Sequence, residues 1–274
     1  LIFKNYSKIK IFFVLNLLIV LFAFNALAID RNIPKTNEEW DKAMQSLNWK
    51  AGPSVVNYNQ ANSKIDISNN FSILEGEQAH QMLFWVNGTD FDYVDVYAMG
   101  INSEQYLFYY TDSGYVKKDD WTDVDPNKFI KEIKENYKAS NEVRKNNGQP
   151  YVTNVTWKKK PYLDGIYNSV YYALDVSWSN NTSSVEGTSI ILGREGYTTG
   201  KYIGGDNGYS EQMLLNISKM HKFNSTKEYK DWKSGDKVAA AGIGALLATT
   251  LGVKALKPGI IAAGLLLLKK FWFI

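Results

Sequence analysis

The sequence predicts an α+β domain: a mostly antiparallel sheet with packed amphipathic helices, followed by C-terminal transmembrane helical segment(s). Three observations predict it. Segments with an apolar stripe at helical spacing lie among short runs that alternate with period two. The alternating runs crowd into the stretch after Tyr151, where turn residues separate neighbours closely enough for hairpins. Both ends of the chain are strongly apolar, while the middle is not.

Taken in order, Asn37 to Leu47 reads as a short helix with Trp40, Ala43, Met44 and Leu47 on one face. Asn48 to Ser63 is rich in Asn, Ser, Gly and Pro and reads as a loop, and Lys64 to Ser68 alternates as a strand. Glu75 to Val86 places Ala79, Met82, Leu83 and Val86 on a helical stripe, stopped by Asn87-Gly88. Asp92 to Met99 and Gln105 to Thr111 read as strands turning at Gly100 to Ser103. The second is apolar on both faces, which predicts a central position with something packed on each side. Asp125-Pro126 opens the longest helix, Asp as N-cap and Pro in the first turn; Phe129, Ile130, Ile133 and Tyr137 form its stripe. Tyr151 to Trp157, Asn168 to Trp178, Gly187 to Leu192 and Tyr197 to Ile203 read as strands, the last two as a hairpin around Gly193 to Gly196. Tyr209 to Met220 closes the set as a helix with Met213, Leu214, Ile217 and Met220 inward.

The start has signal-peptide grammar: Lys4, Lys8 and Lys10, an apolar run from Ile11 to Phe24, then Ala26-Leu27-Ala28 with small residues where a peptidase needs them. Cleavage after Ala28 is the expectation. Near the other end, Val238 to Val253 is apolar for 16 residues. As a helix it reaches about 24 Å at about 1.5 Å per residue, short of a hydrocarbon core of roughly 30 Å. Lys254 and Lys257 follow, then a second apolar piece from Ile260 to Leu268, Lys269-Lys270 and an aromatic run. Charges at a bilayer centre are costly, so both middle lysines are expected at an interface. Ala240, Gly244, Ala248 and Gly252 fall at spacing four on one face, the pattern for close packing of membrane helices. A buried Ala/Gly-rich helical hairpin is the alternative to a span. The organisation expected is therefore a signal peptide (1–28), a helix-and-loop lobe (29–70), an exported α+β domain (71–233) and a membrane anchor (234–274).

Composition excludes several classes. With no cysteine there are no disulfides, thiolate nucleophiles or lipid-modified cysteine. Two histidines, far apart in sequence, make a zinc enzyme a poor fit. A net charge of +3, with both signs interspersed, lacks the basic excess of a nucleic-acid binder. No cofactor motif is present: Gly204 to Gly208 lacks the Lys-Ser/Thr ending of a phosphate loop and reads as a turn. Lys158-Lys159-Lys160 reads as a basic loop between strands, with contact to anionic headgroups as its functional reading. His80 and His221 read as rim or packing residues. Asp119 and Asp120 form the best carboxylate pair, suited to acid–base work or a hard cation, against the simpler reading of a solvated turn before a helix.

Three segments carry a resemblance. Gly114-Tyr115-Val116-Lys117-Lys118-Asp119-Asp120-Trp121, Leu192-Gly193-Arg194-Glu195-Gly196-Tyr197 and Ser234-Gly235-Asp236-Lys237-Val238-Ala239-Ala240 leading into Gly242-Ile243-Gly244-Ala245-Leu246, in that order, resemble domain of unknown function 2167, a bacterial family of membrane-anchored proteins. Lys118 stands where that family has an acid. The resemblance implies a signal peptide, an exported domain and a C-terminal anchor, and no particular activity. Within these segments Tyr115, Lys117, Asp119, Asp120 and Arg194 are the candidate binding residues. The expectation is a non-catalytic binding or assembly module at the inner membrane with its domain outside the cytoplasm. Its partners would be the lipid bilayer and either a second copy or an envelope protein. An envelope hydrolase or cation binder built on Asp119 and Asp120, and a tethered ligand sensor, are the alternatives. The hydrolase requires the two carboxylates to line a concavity.

Overall fold

The computed structural model describes residues 29–253, apart from 69, 88–89, 91–92, 102–103, 147, 149 and 206–208. The expected leader and expected cleavage point, everything from Lys254 onward and part of the Gly204–Gly208 turn lie outside these residues. The described elements are α1 (Asn37–Ser46), β1 (Lys50–Ala51), β2 (Ser54–Tyr58), β3 (Ser63–Ile67), β4 (Phe71–Glu75), α2 (Glu77–Asn87), β5 (Val96–Gly100), β6 (Gln105–Thr111), α3 (Pro126–Asn146), β7 (Val152–Asp164), β8 (Ser169–Trp178), β9 (Ser183–Leu192), β10 (Tyr197–Gly204), α4 (Glu211–Met220), β11 (His221–Phe223) and α5 (Ile243–Thr250).

The expected α+β class with a large antiparallel sheet is what forms. Eight strands run in the order β1-β4-β5-β6-β10-β9-β8-β7, and a three-stranded sheet, β11-β3-β2, packs beside them. β6 is central, as its two apolar faces require: Leu107 and Tyr109 are buried on one side, Tyr106 and Phe108 on the other. Asp125 caps α3, its Oδ1 accepting from the N–H groups of Asn127 and Lys128 at 2.9 and 3.3 Å. The 48–63 stretch is not a plain loop. Val56 and Tyr58 are buried there by alternation, and β2 pairs antiparallel with β3.

The strand registers show how the faces divide. Leu74, Tyr97, Leu107, Lys201, Thr188 and Tyr172 are successive cross-strand partners, so they form one lateral row on one face. At one end of that row, Leu74, Tyr97 and Leu107 pack with Ala79, Met82, Leu83 and Trp85 of α2. At the other end, Tyr172 packs with Phe129 and Ile133 of α3 and with Ile243, Leu246 and Leu247 of α5. The opposite face carries α4 and the small sheet over Val96, Phe108, Ile191 and Tyr202. Two glycines let α4 lie directly on the strands: a Cβ at Gly187 would sit 2.5 Å from Leu214 Cδ2, and one at Gly200 2.3 Å from Ile217 Cγ2.

Two further expectations need correction. Lys158, Lys159 and Lys160 are not in a loop; β7 runs through them to Asp164, with shifts of register along the way. β7 is the sheet's outer strand, where lysines and a proline discourage pairing with another chain. Lys159 also pairs with Glu211 of α4 at 2.7 Å. The second correction is the 16-residue run from Val238 to Val253. It is a short bridge, a turn and the eight-residue α5, and no helix among the described residues is long and apolar enough to cross a membrane. Its apolar side chains instead complete the domain core: Ile243, Leu247, Ala248 and Val253 are buried. Gly242 stands extended before α5, and Gly252, at φ +69°, follows its end, so a helix of span length does not form.

Candidate functional site

The three sequence segments singled out above meet at one end of the sheet, and they meet on the C-terminal arm. The end of β6 delivers Gly114 and Tyr115 there, and the β9–β10 turn delivers Arg194 and Glu195. Gly114 has φ +86°, and a Cβ on it would lie 2.8 Å from the Lys237 carbonyl oxygen, so glycine is required twice over. The arm then runs beside Tyr115 as a parallel bridge at Val238. Tyr115 N–H donates to Lys237 O at 2.8 Å, Ala239 N–H to Tyr115 O at 2.9 Å and Ile243 N–H to Lys117 O at 2.8 Å.

Side chains reinforce this backbone clasp. Asp120, on a 3-10 turn over Asp119–Asp123, caps α5: its Oδ1 and Oδ2 accept from the N–H groups of Gly244 and Ala245 at 2.9 and 3.0 Å. A carboxylate at a helix start also meets the positive end of the backbone dipole. Arg194 holds Asp236 bidentately, Nε and Nη2 donating at 2.7 and 2.8 Å. That contact, with the Lys233 N–H, holds the Asp236 carboxyl down at about 2. Lys227 grips both oxygens of Glu195 at 2.6 and 2.7 Å. Tyr115 stacks on Tyr229 with centroids 4.4 Å apart, and Trp232 lies 5.2 Å from it. Lys118 places its ammonium 4.4 Å from the Tyr229 ring centroid and donates to Asn168 Oδ1 at 2.6 Å. Burial lowers the Lys118 pKa, partly offset by Asp164. Tyr229 hydroxyl donates to Val116 O at 2.7 Å.

Of the expected binding residues, Tyr115, Asp120 and Arg194 are thus engaged within the chain. Lys117 uses its carbonyl, and its side chain is exposed; Asp119 is exposed. Asp120 has both oxygens committed to α5, so Asp119 and Asp120 do not form the acid–base pair that a hydrolase reading requires. Among the described residues no group of three or more His, Cys, Asp or Glu could hold a metal ion. The small residues expected on a membrane face are placed differently. Ala240 is exposed ahead of α5, Gly244 and Ala248 are buried within it, and Gly252 is past its end, where its carbonyl accepts from Asn136 Nδ2 at 2.7 Å. A Cβ at Gly244 would come 2.7 Å from the Asp120 backbone oxygen.

His221 is buried, with Nε2 2.9 Å from Thr198 Oγ1, and burial pushes its pKa down to about 3. Tyr58 donates a short hydrogen bond to Asp95, tying the small sheet to the start of β5. Reading the sequence alone missed Tyr229 and Asn168, and it placed Asp236 in the third segment without naming it a binding candidate.

The family model described as "Protein of unknown function (DUF2167)" matches residues 50–274. Among curated proteins, none matches the chain. Among solved structures the chain is similar to the solution structure of cyanobacterial PsbP (CyanoP) from Synechocystis sp. PCC 6803. The identity is 13%, over 62% of this chain and 92% of that one, with a TM-score of 0.35.

Proposed function

The chain belongs to the DUF2167 family of proteins of unknown function, and from that premise we propose a non-catalytic binding or assembly module, tethered to the bacterial inner membrane with its domain on the extracytoplasmic side. One observation carries the reading. The polar and aromatic residues that looked most like a ligand site are engaged in holding the arm that leads to the chain's last apolar stretch. A clasp of this kind suits a rigid joint between a domain and its tether. The reading assigns the tether to residues 254–274, and the basic and apolar start of the chain to export. The partners assigned are the lipid bilayer and a second copy or an envelope protein. Ile166, 85% exposed at the β7–β8 turn, offers an apolar contact point.

The test uses the full-length protein in its own cells. Protease added outside spheroplasts should cut the domain, and alkaline extraction should leave the intact protein with the membrane. Asp120→Ala should make residues 237–253 cleave faster without releasing the protein. Recovery of the uncut chain in the cytosolic supernatant, with residues 1–28 attached, would end the proposal.

A further inference from the structure

α3 is the longest of the described helices, and its two sides differ in charge. Phe129 and Ile133 are buried against the sheet. On the outward side Lys131, Lys134, Lys138 and Lys145 follow one another in steps of three, four and seven. They form a stripe about 21 Å long at about 1.5 Å per residue, and Lys128 extends it toward the helix start. All five are exposed. Two acids lie among them: Glu135 pairs with Lys138 at 2.7 Å, and Glu142 with Lys145 at 3.6 Å. Among the described residues Lys128, Lys131 and Lys134 form no ion pair.

The rest of the domain has the opposite balance. All 28 carboxylate side chains of the chain fall within residues 29–253, with only 24 of its 31 Lys and Arg side chains. An anionic surface therefore repels this net acidic domain in most orientations and attracts it where cations collect. The exposed side of α1 sets Glu38, Glu39 and Asp41 against Lys42. At the clasp, Arg194, Lys227, Lys230 and Lys237 are each paired with an acid. The course of the chain also leads to α3. Gly252 O accepts from Nδ2 of Asn136, midway along that helix, just before the last described residue. Residues 254–259 then precede the apolar piece that starts at Ile260. Six residues reach about 20 Å when extended, enough to pass round a helix about 10–12 Å across.

We propose that the outward face of α3 is the surface by which the domain lies against a bilayer containing anionic lipid, with the helix axis along the membrane plane. The lysine stems extend toward the surface and their ammonium groups meet lipid phosphates. Lys254 and Lys257 join them at the headgroups before the chain enters the hydrocarbon. The inference rests on the tether reading and adds to it which side of the domain faces the membrane.

The chain has no cysteine, so one introduced thiol carries a fluorophore at a single place. Ala139→Cys labels the exposed side of α3, and Asn216→Cys labels exposed α4 on the other face of the sheet. Each full-length protein is reconstituted into phosphatidylcholine vesicles, with or without phosphatidylglycerol, that contain a quenching lipid with a nitroxide headgroup. With phosphatidylglycerol the α3 label should be quenched more than the α4 label, and molar salt should remove the difference. Lys131→Gln, Lys134→Gln and Lys138→Gln together should lower the ratio of docked to undocked domain by at least about tenfold, since each cation near such a surface counts about fivefold. Equal quenching of the two labels, or stronger quenching at α4, overturns the assignment of this face. So does a preference for α3 that persists in phosphatidylcholine alone, in molar salt or in the triple variant. A protein that fails to float with the vesicles overturns the tether reading and this inference with it, whereas flotation without a preference for α3 removes only the latter.

Discussion

Asp120 offers the sharpest perturbation of the clasp. Its two oxygens accept from Gly244 and Ala245 N–H at 2.9 and 3.0 Å, in the first turn of the eight-residue α5. Replacing an N-capping acceptor costs about 0.5–2 kcal/mol, and leaving part-buried donors unmatched costs about 1–3 kcal/mol. For Asp120→Ala we take about 2 kcal/mol. At roughly 2–4 °C per kcal/mol for a domain of this size, the unfolding midpoint should fall by about 4–8 °C. Asp120→Asn keeps one acceptor and should fall by about half as much. Gly244→Ala places a Cβ 2.7 Å from the Asp120 backbone oxygen and should cost about 1–3 kcal/mol by overpacking. Because the two sites touch, the double variant should be less destabilised than the sum of the singles by more than about 0.5 kcal/mol. Hydrogen exchange supplies the local readout: amides 243–253 should lose protection in Asp120→Ala while those of β8 and β9 do not. A midpoint within about 1 °C of wild type, with protection of 243–253 unchanged, would refute the claim that Asp120 holds the arm.

Two further predictions concern titrating groups. With Arg194 donating two hydrogen bonds to it, Asp236 titrates at about 2 against an ordinary 3.8, so its contribution to stability is complete above the ordinary value and fades as pH drops toward 2. Arg194→Gln should return the Asp236 carboxyl toward 3.8 in an NMR titration, and an unmoved carbon shift profile would show that the pair does not set it. His221 behaves in the opposite sense to a paired histidine. The folded ring stays neutral down to about 3, whereas the unfolded one takes a proton near 6.5, so stability should decline as pH falls between those values. Urea unfolding at pH of about 7 and about 4.5 should show a smaller loss in His221→Gln than in wild type, and equal losses would count against a neutral buried ring.

Legibility in the sequence varied with how local the signal was. The bounds of β6 and the Asp125 cap of α3 follow from a few neighbouring residues, and both form as read. Lys158 to Lys160 misled because three lysines resemble a loop, while an outer strand tolerates them as readily. Asn48 to Ser63 misled because its turn residues outnumber the Val56 and Tyr58 that pair it into a sheet. In the clasp, Tyr115, Asp120, Arg194 and Asp236 all lie in the three segments read from the sequence, but Tyr229, on which Tyr115 stacks, carries no local signature, and the pairing of Arg194 with Asp236 is decided only by the fold.

What the amino-acid order determined alone was the α+β class, the period of most elements and the caps, because propensity, alternation and capping act over a few residues. What only the tertiary structure decided was which surfaces those elements share. An apolar stretch such as Val238 to Val253 leaves water with similar gain whether it enters a bilayer or a protein core, so hydropathy cannot choose between them. The choice came from distant groups, Tyr115, Lys117 and Asp120, whose hydrogen bonds seize that stretch and lay it against the sheet.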